Sequence, residues 1–204
     1  MSDEAKRPGG RRRFPTADLA RVAVFAALIA VLGLVPGLTV FGPVPITLQT
    51  FGVMLAGLIL GAWRAALSVS VLLVLVAAGL PLLAGGRGGA GVFTMPSAGY
   101  LIGWIAGAAV IGWLADRAGE RPSLVRLLVA GVVGGIGVIY LFGVPVVALA
   151  TDVPLGVAAV QSAVFLPGDL AKAVLAAFIA RGVQRAYPDA VPAVHRQQLR
   201  AGGR

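Results

Sequence analysis

Six apolar runs fill nearly all of the chain between Leu19 and Ala180, and short stretches rich in Gly, Pro or charge separate them. They read as about Leu19–Val35, Thr47 or Gln49 to Leu60, Ala65–Leu80, Ala98–Leu114, Leu124–Ala150 and Leu155–Ala180. A helix that crosses a bilayer needs about 20 predominantly apolar residues. The pattern therefore predicts an all-α membrane protein of six transmembrane helices with short loops, and a chain of 204 residues then leaves no room for an extramembrane domain. A mean hydropathy of +0.93 and a charged content of only 12% agree with that class. The 29 glycines and 13 prolines fit it too, since both are more frequent in membrane helices than in soluble ones.

The placement of charge sets the expected topology. With the N-terminus inside and six crossings, all 17 Lys and Arg residues fall on one side except Arg87, in a Gly-rich outer loop, and Lys172, inside the sixth run. Short cytoplasmic loops are enriched in Lys and Arg, so both termini are expected in the cytoplasm of a multi-pass cell-membrane protein. Residues 1–17 read as a basic cytoplasmic tail, 18–186 as the six-helix membrane domain and 187–204 as a second cytoplasmic tail. Arg11-Arg12-Arg13-Phe14 ahead of an apolar run raises a secretory or twin-arginine signal. No A-x-A pattern follows the run and five more runs come after it, so a retained first helix is the simpler reading. The net charge of +9 is accounted for by the lipid bilayer surface, without nucleic acid as a partner.

Several chemistries are excluded. There is no Cys, so there are no disulfides and no thiolate nucleophile or ligand. His195, the only histidine, lies in the C-terminal tail without companions, so no metal site and no cofactor is expected. No G-x-x-x-x-G-K-[ST] pattern occurs, so energy for any transport must come from another chain. An intramembrane enzyme would need a nucleophile, metal cluster or cofactor motif, and none is visible, so no catalytic residue is assigned.

One stretch resists a purely structural reading. Asp169 and Lys172 stand three residues apart in the middle of the sixth run. About 20 Å of helix separates Gly156 from Asp169, and about 18 Å separates Asp169 from Arg181, which puts the carboxylate near mid-depth. A charge at the centre of a span costs about 2.5–3.5 kcal/mol on insertion scales, so an intramembrane ionisable pair is a functional-site candidate. An i, i+3 spacing lets the two meet each other or converge on one ligand. The alternative is a structural ion pair that locks helix packing. Pro167 bears on the depth, because a helix broken there would leave Asp169 in a first turn. Ser162 lies on the same stripe.

Other candidates cluster at the outer side. Arg87, amid five glycines in a mobile, non-helical loop from Pro81 to Pro96, is either a solvated cation or a group that closes over an anionic ligand. Thr47 and Gln49 either line the same cavity or satisfy loop backbone groups. Tyr100, Trp104 and Phe93 offer flat apolar walls, or serve as belt and packing residues. Pro145 is expected to break the fifth run. Ala23, Ala27 and Ala30 give the first helix a small-residue stripe; such stripes, like Gly103/Gly107, serve internal seams and docking faces alike.

The stretches F-G-P-V-P-I-T-L-Q-T-F-G-V-M-L-A-G at 41–57, L-P-L-L-A-G-G-R-G-G at 80–89, P-S-A-G-Y-L-I-G at 96–103 and P-G-D-L-A-K at 167–172 resemble the BioY family, the biotin-binding S components of energy-coupling factor (ECF) transporters. The resemblance runs from about Leu19 to Ala186. It implies six helices in the S-component fold, high-affinity biotin binding on the outer side, and uptake energised by a separate module, with a transmembrane coupling subunit and two ATPase subunits as partners, or else a homo-oligomer. It further implies that Ala23, Ala27 and Ala30 dock onto the coupling subunit, and that Asp169 and Lys172 lie in the pocket beneath the loop bearing Arg87. Biotin has a ureido head with two N–H donors and a carbonyl, an apolar ring and chain, and a carboxylate tail. On that chemistry Asp169 accepts from the ureido N–H groups, while Lys172 and Arg87 meet the carbonyl and the carboxylate, in either order. The alternative is a proton- or ion-coupled carrier of a small carboxylate-bearing solute with Asp169 as relay.

Overall fold

The structure is a computed structural model and describes residues 16–37, 43–119 and 122–187; the tails, with His195, lie outside the described residues. Among the described residues there are six helices: α1 (Thr16–Gly33), α2 (Gln49–Leu60), α3 (Ala62–Ala77), α4 (Ala98–Arg117), α5 (Leu124–Thr151) and α6 (Leu155–Ala186). Among the described residues there is no strand, only an isolated bridge between Leu83 and Arg87. Four helices, α1, α4, α5 and α6, are long and apolar enough to cross a membrane, while α2 and α3 are shorter.

The shortness of α2 has a physical counterpart. Its 12 residues rise about 18 Å, and the chain that leads into it, Val44 to Thr47, is non-helical and lines a cavity. Unpaired backbone at membrane depth is tolerated only where protein or a cavity covers it.

Several boundaries differ from the sequence reading. α1 already includes Thr16–Asp18, ahead of Leu19, and Asp18 is buried and bonded. Arg64 grips that carboxylate through both oxygens, Nε to Oδ1 at 2.9 Å and a terminal nitrogen to Oδ2 at 3.0 Å, and Arg21 adds a contact at 3.3 Å. Arg64 therefore does not interrupt the chain at an interface; it is buried in the first turn of α3. The whole connection between α2 and α3 is Gly61, whose φ of 79° suits a residue without Cβ. Pro145 does not break α5, which runs on to Thr151. Membrane helices tolerate such prolines because neighbouring groups re-satisfy the freed backbone. The departure from regular geometry lies earlier, in a π-helical segment over Val133–Val138.

In α6 the helix tightens to a 3₁₀ turn at Ala163–Phe165 and resumes at Leu166, with Pro167 at the start of the resumed segment, where its missing N–H costs nothing. The loop expected to be mobile and non-helical is instead built. Leu83 and Arg87 exchange backbone hydrogen bonds across a turn with positive-φ glycines at 85 and 86, and Ala90–Thr94 forms a 3₁₀ turn.

α4 packs against α2, α3 and α5 at the centre of the bundle. A Cβ on Gly103 would lie 2.9 Å from the Ile139 carbonyl oxygen, and one on Gly107 would lie 2.7 Å from that of Gly134. The α4–α5 seam is thus in backbone contact, as van der Waals-driven packing in lipid requires. On α6, Ala173, Ala176, Ala177 and Ala180 are buried, giving close approach to α2 and the first half of α5.

The Asp18–Arg64 pair yields a first prediction. Asp18→Ala leaves a buried guanidinium uncompensated and should destabilise the protein by about 3–5 kcal/mol. In detergent this reads as a lowered thermal midpoint, whereas Asp18→Leu combined with Arg64→Met should recover most of it.

Candidate functional site

The polar centre of the bundle is assembled from α6, α5 and the start of α2. Resumption of α6 at Leu166 puts Asp169 in its first turn, where the helix dipole favours an anion. One turn on, Lys172 Nζ lies 2.9 Å from Asp169 Oδ1, with both side chains nearly buried. The ammonium also donates to the Thr47 carbonyl at 2.7 Å and to Thr50 Oγ1 at 3.0 Å, so each of its three N–H groups has a protein acceptor within reach. The Thr50 hydroxyl lies 3.4 Å from Asp169 Oδ1. From α5, Tyr140 donates to Asp169 Oδ2 at 2.8 Å. A buried charge persists only when paired and hydrogen-bonded, and this set meets that condition.

These residues border a cavity. Thr47, Gln49, Arg87, Tyr100, Trp104, Asp169 and Lys172 all line it, so the structure brings together seven of the nine residues singled out from sequence. Ser162 and Phe93 are not among the lining residues. Ser162 is buried behind the wall, where it accepts from Tyr100 OH at 2.8 Å and donates to the Ala158 carbonyl at 2.8 Å. Phe93 is half-buried and packs against the apolar core. Of the two readings of Gln49, the backbone-satisfying one describes its amide. Its nitrogen donates to the carbonyls of Ile29 and Leu82 at 3.2 and 3.0 Å, and its oxygen accepts from the Ala84 N–H at 3.0 Å.

Arg87 lines the cavity with its Nε donating to the Ala84 carbonyl at 3.0 Å and a terminal nitrogen 3.5 Å from Ser97 Oγ. It has no carboxylate partner among the described residues, and burial lowers its pKa from the ordinary guanidinium value. An arginine remains protonated regardless, so this is a half-buried cation to which an anionic ligand would bring the missing counter-charge. Beside these charged groups the wall is apolar, made by Leu83, Leu101, Trp104, Ile139 and Phe165 with the ring of Tyr100. Tyr100 stands edge-on to Tyr140 and to Phe165, with centroids 5.8 and 6.2 Å away. The arrangement suits an elongated ligand with N–H donors at one end, an apolar middle and an anionic tail.

Sequence reasoning missed Tyr140, Thr50 and Phe165. Tyr140 carried a signal of the kind that exposed Asp169, a lone hydrogen-bonding side chain deep in an apolar run. Thr50 lies one helical turn from Thr47, within reach of the same partner.

Removing the Gln49 amide tests its anchoring role. Gln49→Leu should leave the Ala84 N–H and two carbonyls without partners, with a loss of about 2 kcal/mol or more in stability. Proteolysis within residues 81–89 should become faster than in the wild type.

Comparison with known proteins places this geometry among relatives. A family model described as the BioY family matches residues 4–189. A Rhizobium etli protein named biotin transporter BioY is 46% identical over 179 residues, covering 85% of this chain and 96% of the relative. A Bacillus subtilis protein named probable biotin transporter BioY is 49% identical over 170 residues, covering 83% and 91%. A solved structure, the S-component for biotin from an ECF-type ABC transporter, superposes with a TM-score of 0.80 at 33% identity, covering 87% of this chain and 95% of the other.

Proposed function

The chain belongs to the BioY family, and from that membership we propose that it is a high-affinity biotin-binding membrane subunit that mediates biotin uptake. The observation that carries the reading is the cavity lined both by Asp169 and by a half-buried cation, Arg87, without an acidic partner among the described residues. A carboxylate accepts from the two ureido N–H groups, and these charge-assisted bonds are the strong ones. The apolar wall receives the ring and chain, and Arg87 meets the tail carboxylate. Lys172 pairs with Asp169 at 2.9 Å, and it reaches the ureido carbonyl by exchanging the Thr50 hydroxyl, the longer of its two bonds to neutral acceptors.

Transport itself is energised elsewhere. The subunit sits in the cell membrane as a multi-pass protein with both termini in the cytoplasm, as its basic residues favour, and works with an ECF transmembrane coupling subunit and two ATPase subunits, or as a homo-oligomer. Ala23 and Ala27 are exposed on α1 and Ala30 is half-buried, while Ala26 turns into the bundle, which supports an outward small-residue face for the coupling subunit. On this reading no proton is relayed by Asp169, because both of its oxygens are already bonded to protein donors.

Two measurements test the proposal. The purified chain in detergent should bind labelled biotin, and Asp169→Asn should weaken binding about tenfold or more, as expected for loss of a charged acceptor. Absence of binding, or an Asn variant that binds as well as wild type, overturns the assignment. Replacing Ala23 and Ala27 together by Leu should leave that binding intact and abolish ATP-dependent uptake in cells. Uptake that instead vanishes on collapse of the proton gradient with ATP maintained would favour the ion-coupled carrier.

A further inference from the structure

The Asp169 carboxylate has two oxygens, and only one of them faces the lysine. Oδ1 is 2.9 Å from Lys172 Nζ and 3.4 Å from Thr50 Oγ1, while Oδ2 takes a single bond, 2.8 Å, from Tyr140 OH. The carboxylate is thus held at Oδ1 by Lys172 of its own helix, with the Thr50 hydroxyl of α2 at 3.4 Å from Oδ1 and 3.5 Å from the Thr47 carbonyl, and at Oδ2 by Tyr140 of α5, so both oxygens have donors and the plane is set by the two together. An acceptor that must take two parallel N–H donors needs a fixed plane, because the donors of a planar urea are themselves held at one spacing and direction. A carboxylate tied at one oxygen alone is free to rotate about its Cβ–Cγ bond.

The backbone of α5 departs from α-helical geometry immediately before this tyrosine. The π-helical segment Val133–Val138 ends one residue before Ile139, and both Ile139 and Tyr140 line the cavity. A π turn holds an extra residue within the helix and advances the register of everything after it; such turns recur at functional sites. The segment is glycine-rich, with Gly134 against Ile111 and Gly135 against Met54, so the wider turn is accommodated without side chains of its own at these contacts. The tyrosine ring is then held edge-on by Tyr100, whose own hydroxyl is bonded to Ser162.

We propose that Tyr140, together with Thr50, is a positioning residue that sets the plane of the Asp169 carboxylate for two-point recognition of paired N–H donors on the ligand head, and that the π turn of α5 serves to aim it. The proposal rests on the biotin-binding reading above and goes beyond it. It concerns specificity: a ligand with one donor makes less use of a fixed plane than a ligand with two.

The test is a cycle of two ligands and two residues, read as dissociation constants of the purified full-length chain in detergent. The ligands are biotin and biotin methylated on one ureido nitrogen, which keeps the ring and tail and removes one donor. In wild type the methylated ligand should bind far more weakly. Tyr140→Phe removes only the hydroxyl; biotin binding should weaken about tenfold, and the ratio between the two ligands should fall about threefold or more, which is the coupling between hydroxyl and ligand N–H. Thr50→Val runs the same cycle from the other oxygen and should lower the ratio in the same sense, which covers the case where the phenylalanine variant does not fold. A purely structural role for the two hydroxyls would weaken both ligands by one factor, and an unchanged ratio in the variants that fold overturns the proposal. If wild type binds no biotin at all, it is the functional reading that has failed.

Discussion

A carboxylate and an ammonium lie 2.9 Å apart near the middle of an apolar helix, and the surrounding fold is arranged so that neither is left without partners. Isolated, each would carry a desolvation cost of several kcal/mol inside the bundle. The pair alone does not meet that cost, since the lysine has two further N–H groups and the carboxylate a second oxygen. The chain answers with an unwound stretch before α2 that exposes the Thr47 carbonyl, a threonine one turn later, and a tyrosine from α5. Three irregularities of the backbone meet at this one place. They are the non-helical entry into α2, the π segment of α5 and the 3₁₀ turn of α6. Each brings polar groups to the pair, and each would be a defect elsewhere in a membrane bundle.

A second buried charge cluster, at the other end of α2, is solved differently. Asp18 and Arg64 form an ion pair that joins α1 to the first turn of α3, with a terminal guanidinium nitrogen donating to Oδ2 at 3.0 Å and Nε 2.9 Å from Oδ1, and Ala62 N–H donates to Asp116 of α4 at 3.2 Å. The pair borders no part of the cavity. The contrast separates a charge pair closed on itself from one that opens onto a cavity, a distinction that burial by itself does not make.

The helices were legible from sequence because lipid permits so few alternatives. An apolar run of sufficient length is a helix, and punctuation by Gly, Pro and charge gave the six elements nearly in place. Asp169 and Lys172 were legible for the same reason inverted, as charges where none is expected. What escaped the sequence were features that depend on partners distant along the chain. Arg64 read only as one more cation on the cytoplasmic side because its partner Asp18 lies 46 residues away. Phe93 and Ser162 looked like cavity residues by position, but a helical stripe does not say which of its members reaches the surface of a cavity and which stops one layer behind. The Gly-rich loop looked mobile because glycine is permissive; its order comes from a glutamine on another element.

That glutamine connects the two sides of the site. The Gln49 amide joins the Ile29 carbonyl on α1 to the Leu82 carbonyl and Ala84 N–H of the turn that carries Arg87. Arg87 in turn donates to the Ala84 carbonyl, the same residue whose N–H the glutamine holds. The position of the cation over the cavity is therefore fixed through a chain of hydrogen bonds that begins on α1, the helix that also presents the exposed alanines. A shift of the turn breaks bonds to α1 in the same step, since one planar amide holds all three backbone groups and has no spare geometry to follow them separately. The turn that bears Arg87 and α1 thus share one identifiable set of atoms, the Gln49 amide and the three backbone groups it bonds.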